Sequence, residues 1–193
     1  MLSFGISGFL YRNAVFYYDR QTETFWSQMT GAAMAGPLTG KRLKWMPSEV
    51  TTWKAWREKH PETTVLKAPF PLRTYKRTND GYVRYRATDR LMIPLKTTVP
   101  DTYPRKSNVT ILVRGDDARC YPHPALEEGK NKDGDLTIVK EGISVRVLDK
   151  SGKELPTLFG FWFAFFEFYE GGTVWEPPEL PAKPERVGDD GDR

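Results

Sequence analysis

The sequence predicts an α+β protein dominated by strands, with two related β-rich units that each contain a hairpin and a packed helix. Apolar residues occur in short runs, and frequent Pro (15) and Gly (16) residues separate these runs. This pattern is typical of short strands joined by turns rather than of a helical bundle. Of the 193 residues, 39% are hydrophobic and 13% aromatic, which is enough to bury a core.

The first predicted unit covers residues 1–70 and begins with two elements that share a sheet. Residues 2–11 form a strand interrupted by two glycines, which predict a bulge or the close approach of another backbone. Residues 14–29 form a β-hairpin. Asp19 stands at the start of its turn, where an aspartate accepts hydrogen bonds from nearby backbone amides.

A loop and a helix are predicted for the rest of this unit. Residues 30–42 are rich in glycine but lack the spacing of a phosphate-binding loop, so we interpret them as a structural loop. A helix is expected to begin at Ser48 as N-cap and to end at His60. Trp53 and Trp56 share one face at helical spacing, which predicts that they pack into the core.

A long irregular connection over residues 71–107, rich in Tyr, Arg and Pro, separates the two units. The second unit covers residues 108–176. Residues 158–169 are apolar on every face, so a helix there should be buried. The remaining tail, residues 177–193, has the composition of a disordered segment. We expect one compact domain overall.

Two alignments relate the halves of the chain and predict an internal repeat. Placing Trp53 over Trp162 also aligns a Thr-Val pair that is expected to form a strand after each helix. A second alignment, with a different offset, places Asp19 over Asp149, each at a hairpin turn. The sequence therefore predicts two copies of a hairpin and helix unit.

The net charge and the cysteine content limit the kinds of ligand binding and catalysis that the sequence predicts. The net charge of +4 suits nucleic acid or acidic surfaces without requiring either. Cys120 is the single cysteine, so no internal disulfide forms. Cys120 and His123 provide half of a zinc site, and the one other histidine is His60. We therefore predict no catalytic residue, metal or cofactor, and we find neither a signal peptide nor an apolar run long enough to span a bilayer.

Polar and aromatic side chains on the hairpin and the connection are the best candidates for a binding surface. The turn residues are interpreted first as structural, with ligand binding as the alternative. Nucleic-acid binding through residues 73–90 is a weaker alternative, because aspartates interrupt the basic run. The candidate binding residues are Asp19, Arg20, Trp26, Gln28, Tyr82 and Tyr85.

Several motifs resemble those of the domain-of-unknown-function family 3179. The similarity covers most of the range 3–175, and its specific part lies within the range 1–66. The family has no established activity. The motifs include Phe4-Gly5-Ile6-Ser7-Gly8, Tyr18-Asp19-Arg20-Gln21-Thr22, Trp26-Ser27-Gln28, Gly36-Pro37-Leu38, His60-Pro61 and Phe161-Trp162-Phe163-Ala164.

The resemblance implies a motif that this sequence does not contain. Members of the family carry an upstream Cys-Pro-x-Cys-like motif, with selenocysteine in some, which implies a thiol- or selenol-dependent redox role outside the cytoplasm. Met1 begins just after the expected position of this motif, and Cys120 does not replace it. We therefore expect a truncated chain, begun after an in-frame UGA codon or cut at a fragment end. Such a chain would be a non-catalytic scaffold with an unknown partner and an unpaired sheet edge.

Overall fold

A computed structural model describes residues 1–67, 81–115 and 117–177, with Gly81 and Tyr82 described by their backbone alone. Three sheets and three short α-helices make up this part of the chain. The predicted α+β class with dominant strands is confirmed. None of the described helices is long and apolar enough to cross a membrane.

The first sheet is antiparallel with strand order β1-β2-β3-β4. The turn between β1 and β2 places Arg12 and Asn13 at φ angles of 50° and 63°, as in the tight turns that suit the twist of a hairpin. The predicted hairpin is confirmed as β2 and β3, whereas the stretch predicted to be a loop contributes a short strand, β4. The strands are β1 (Phe4–Tyr11), β2 (Ala14–Asp19), β3 (Phe25–Ser27) and β4 (Ala33–Ala35).

The glycines of β1 mark a bulge and a close approach, as the sequence predicts, but the group that approaches is a side chain and not another backbone. The Tyr18 ring lies over Gly5, and a Cβ atom at this position would come within 2.6 Å of that ring. Gly8 has a φ angle of 79°, and the pairing with β2 shifts between Ile6 and Leu10. Gly5 thus allows the close approach of a side chain, and Gly8 lies in a bulge.

The second and third sheets belong to the second half of the chain. The second has the order β10-β5-β6-β11, in which only β11 runs parallel to its neighbour, and the third is the antiparallel meander β7-β8-β9. Strand β7 is not among the strands that the sequence predicts. The strands are β5 (Asn108–Arg114), β6 (Asp117–Pro122), β7 (Gly129–Asp133), β8 (Leu136–Glu141), β9 (Ser144–Leu148), β10 (Thr157–Phe161) and β11 (Thr173–Val174).

The main core lies between these two sheets and the helix α3 (Trp162–Phe168). Five residues of α3 are buried, so the predicted burial of this helix is confirmed. The helix is shorter than the predicted 158–169, because Thr157–Phe161 pair with β5 as β10. A short 3-10 helix, His123–Ala125, closes one end of the core.

The helix α1 (Trp53–Lys59) differs from its prediction in its start and its burial. Thr52, not Ser48, is the N-cap, and its side chain accepts a hydrogen bond from the Ala55 amide at 3.2 Å. No residue of α1 is buried, and Trp53 is 50% exposed, so the prediction that Trp53 and Trp56 pack into the core is wrong. An apolar stripe indicates which face can pack but not whether a partner surface covers it.

The two aligned helices share their bounds and their ends. When Trp53 is placed over Trp162, α1 and α3 coincide, and His60 and Tyr169 have nearly the same C-cap angles (φ −133°, ψ 70° and φ −127°, ψ 68°). The helices differ in burial, and only the second Thr-Val pair forms a strand. The internal repeat therefore stays a prediction.

The connection between the halves is partly helical. Gly81–Ala87 form the helix α2, so the prediction of an irregular connection over 71–107 is wrong for this stretch. Residues 68–80, Asp116 and the tail from 178 onward lie outside the described residues. The division into units at 1–70, 71–107 and 108–176 stays a prediction.

The tip of the β1–β2 hairpin docks on the connection and on the second half of the chain. The Asn13 side chain makes two hydrogen bonds of 2.8 Å with the backbone of Ile93. The Arg12 guanidinium donates to the Glu167 carbonyl, and the Tyr11 ring meets Phe168 edge-on at 6.0 Å. This tip fixes the first sheet against α3.

Candidate functional site

Asp19 lies at the end of β2 and is fully buried. Its carboxylate accepts hydrogen bonds from the Trp26 indole at 3.0 Å, the Thr22 amide at 2.6 Å and the Thr22 hydroxyl at 2.8 Å. Burial alone would raise the pKa of Asp19, but the hydrogen bonds from Trp26 and Thr22 outweigh it and lower the pKa. Asp19 is therefore ionised, and it stabilises the turn by accepting these hydrogen bonds.

The other three hairpin candidates do not join Asp19 around one cavity. Trp26 is 3% exposed, whereas Arg20 and Gln28 are exposed. The Arg20 guanidinium lies over the Tyr18 ring, 5.7 Å from its centroid, and donates to the Tyr18 hydroxyl at 3.3 Å. The structure thus divides the predicted hairpin site between the interior and the surface.

Tyr85 takes part in a contact that sequence reasoning missed. The Lys106 ammonium lies 3.4 Å from the centroid of the Tyr85 ring and donates to the carbonyls of Tyr85, Thr88 (2.6 Å) and Arg90 (2.5 Å). Burial lowers the pKa of Lys106, and Asp89 partly opposes this effect. These contacts close the C-terminal end of α2, while the Tyr82 side chain lies outside the described residues.

Cys120 and His123 both lie in the core. Burial raises the pKa of the Cys120 thiol, so it stays protonated. The His123 Nε2 atom lies 2.9 Å from the Thr110 hydroxyl, and burial, together with the Lys140 charge, lowers its pKa to about 4. Within the described ranges, no three His, Cys, Asp or Glu side chains are grouped as metal ligands.

Glu167 is a second buried carboxylate that the sequence did not single out. One oxygen accepts three hydrogen bonds of 2.8 Å, from the Lys96 amide and from the amide and hydroxyl of Thr97. The other oxygen, Oε2, is buried without a hydrogen-bond partner among the described residues. Lys96 and Thr97, which bind Glu167, lie far from it along the chain, so no local sequence pattern identifies these contacts. Glu167 fastens the 91–97 segment to α3.

Within the described part of the chain, the open edge of strand β1 is the strongest candidate for a binding surface. Among the described strands, β1 pairs only with β2. The Arg20 amide donates to the Ser3 carbonyl, and the Asp19 amide turns away from β1 to the Thr24 carbonyl. In an antiparallel pair these orientations alternate, so Phe4 and Ile6 direct their amides and carbonyls away from β2.

Large apolar side chains surround this edge. The exposed fractions are 72% for Ile6, 63% for Phe9, 40% for Phe4 and 37% for Leu10. The strand carries no charged side chain, although edge strands are usually protected by charges or proline. The bulge at Gly8 is the one such protection that β1 has. Within the described ranges, no other strand pairs with the edge over residues 4–6.

One comparison relates this chain to a known protein family. A model of a protein family of unknown function, DUF3179, matches residues 1–141, a range that runs from β1 to the end of β8. Comparisons with curated proteins and with solved structures found no match. Because the match covers well over half of the chain, the protein belongs to the DUF3179 family.

Proposed function

We propose that this chain is a non-catalytic, β-rich scaffold that binds an extended segment of a partner along the edge of β1. The observation that carries the proposal is an uncharged edge strand whose Phe4 and Ile6 backbone groups point outward between exposed apolar side chains. Adding a strand would satisfy these groups through main-chain hydrogen bonds, while alternate side chains would pack on the partner.

The position of β1 within the fold supports this proposal. The tip of its hairpin is fixed, because Asn13 binds the connection and Arg12 binds the second half of the chain. A rigid edge loses little conformational freedom when a partner strand binds, which favours affinity. The hydrogen-bonded core of Asp19 and Trp26 supports the same sheet from within.

A catalytic role for this chain has little support. The Cys120 thiol is buried and protonated, so it is not available as a nucleophile. A thiol or selenol redox role remains our hypothesis for longer relatives that carry the upstream motif. The chain by itself should show no thiol–disulfide exchange above the buffer rate. In-frame coding for Cys or Sec followed by Pro-x-Cys upstream of Met1 would support the hypothesis for longer forms.

Ligand binding at the hairpin is the second candidate function. It is favoured by the exposed Arg20, which stacks on Tyr18 and leaves guanidinium donors free of ion pairs among the described residues. Nucleic-acid binding through residues 73–90 has less support, since aspartates interrupt the basic run and residues 73–80 lie outside the described residues. Arg20→Ala would abolish a hairpin ligand site but leave strand binding at β1 unchanged.

Self-association tests the main proposal, since a second copy of the chain is a ready source of an uncharged strand. We expect the wild type to associate with rising concentration in sedimentation velocity. Ile6→Lys places a charge at the edge and should remain monomeric. Ile143→Lys is the matched control, because Ile143 is 39% exposed on the second half of the chain.

The proposal fails if Ile6→Lys and Ile143→Lys reduce association equally, since the effect would then be one of net charge. It also fails if the wild type stays monomeric and Ile6→Lys leaves its solubility and its binding of a hydrophobic dye unchanged. Circular dichroism of both variants checks that the fold is retained.

A further inference from the structure

The outer face of the third sheet carries a polar cleft of about 420 Å³, distant in sequence from β1. Ile138 and Val147 face the core, so the residues that alternate with them lie on the opposite face. Val139 on that face is also buried, whereas Lys130 and Lys132 are exposed. Lys132 pairs with Thr137, and Thr137 pairs with Leu148, which forms one row across the three strands. Lys130 lies on the same face, two positions before Lys132.

Three lysines converge on this cleft from two sides. Lys130 and Lys132 belong to β7, and Lys150 belongs to the turn after β9. Neighbouring strands lie about 4.8 Å apart, so β7 and β9 flank Thr137 at one strand spacing each. Lysine side chains are long enough to bring their ammonium groups together above Thr137.

The charges of the cleft are unbalanced. Among the described residues, none of the three ammonium groups forms an ion pair, and Lys132 donates only to the Thr137 hydroxyl at 2.7 Å. Asp149 is occupied by its own turn, where it accepts from the Ser151 amide and hydroxyl and from the Lys153 amide. Asp135 is the one lining carboxylate without such contacts in the described structure.

We propose that this cleft binds a phosphate-bearing anion, such as a phosphate monoester or a short polyphosphate. The three ammonium groups supply point charges for the phosphate oxygens, and the Thr137 hydroxyl adds a neutral donor. A cleft of this volume is in the range of small-ligand sites. Asp135 at its rim disfavours binding and so sets the affinity.

Titration calorimetry at low salt tests the proposal with inorganic phosphate, pyrophosphate and tripolyphosphate as probes. We expect heat of binding that grows with anion charge and falls as salt is added. Lys132→Gln combined with Lys150→Gln should weaken tripolyphosphate binding by about tenfold. Asp135→Asn should strengthen it several-fold by removing the opposing charge. Each of these side chains lies at the surface, so the variants should fold.

The control is Lys44→Gln combined with Lys54→Gln, which changes the net charge equally at exposed positions away from the cleft. An equal loss of affinity in the control pair would show that only net charge matters and would overturn the proposal. No binding of any of the three anions at low salt would overturn it as well. Amide chemical shifts of Thr137 and Gly152 that respond only to tripolyphosphate would support a polyphosphate rather than a single phosphate group.

Discussion

At the scale of single residues, the structure separates groups that stabilise the fold from groups that remain available. Asp19 was predicted from sequence to accept turn amides, and it does so through Thr22. Its bond to Trp26 could be anticipated because both lie on one hairpin. Lys106 and Glu167 could not be anticipated, since their partners belong to other elements, far away along the chain.

Asp19→Asn should destabilise the protein although it preserves the shape of the side chain. The new amide group would turn a donor toward either the Trp26 indole or the Thr22 amide, and a buried donor would lose its acceptor. We expect the Tm to fall by roughly 5 °C. Asp149→Asn, at a similar but partly exposed turn, is the control and should change the Tm less. Equal effects would contradict the role of Trp26.

His123 should make stability depend on pH between about 4 and 6.5. The folded state holds the pKa of His123 at about 4, whereas an unfolded histidine titrates near 6.5. The unfolded state therefore binds more protons in this window, and the free energy of unfolding falls as the pH falls, by about 3 kcal/mol at most. Urea unfolding at pH 4.5 and pH 7 measures this loss.

His123→Gln is the matched variant for this pH dependence. Glutamine can still bind the Thr110 hydroxyl but does not titrate. Its free energy of unfolding should fall less between pH 7 and pH 4.5 than that of the wild type. If the two proteins lose the same amount, carboxylates rather than His123 cause the acid sensitivity.

At the scale of elements, local pattern predicted strands well and predicted packing partners poorly. Runs rich in β-branched and apolar residues indicate β5, β8 and β9, and the structure contains these strands. The polar strand β7 was not predicted, because Lys130, Asn131 and Lys132 show no alternation of apolar and polar residues. The helix α1 shows the converse case, since its apolar stripe lies at the surface. In both cases contacts with other elements, and not the local sequence pattern, decide the outcome. Pairing with β8 makes β7 a strand, and α1 stays exposed because no element in the described part of the chain buries its apolar stripe.

The hairpin tip offers a test of how the first sheet is joined to the connection. Asn13→Gly keeps the positive φ angle accessible but loses both hydrogen bonds to Ile93, which should lower the free energy of unfolding by about 2 kcal/mol. Asn13→Ala should cost more, because alanine disfavours this φ angle. Chemical unfolding compares the variants. If Asn13→Gly is as stable as the wild type, Asn13 does not join the first sheet to the connection.

At the scale of the whole molecule, polar contacts attach the first half to the buried core of the second. The Ser144 hydroxyl donates to Glu49 at 2.6 Å, and Lys59 pairs with Glu141 at 2.7 Å. Apolar burial concentrates around α3. Exposed apolar side chains include Phe4, Ile6, Phe9 and Leu10 of β1, and others are spread over the rest of the described chain.

Hydrogen–deuterium exchange of the β1 amides reports strand binding at β1 one residue at a time. In dilute protein, the amides of Phe4 and Ile6 should exchange rapidly, while the Gly5 amide, directed toward β2, should be protected. At a concentration where the chain associates, Phe4 and Ile6 should become protected. Protection of Phe4 and Ile6 in the dilute monomer, or rapid exchange of both in the associated form, would contradict strand binding at β1.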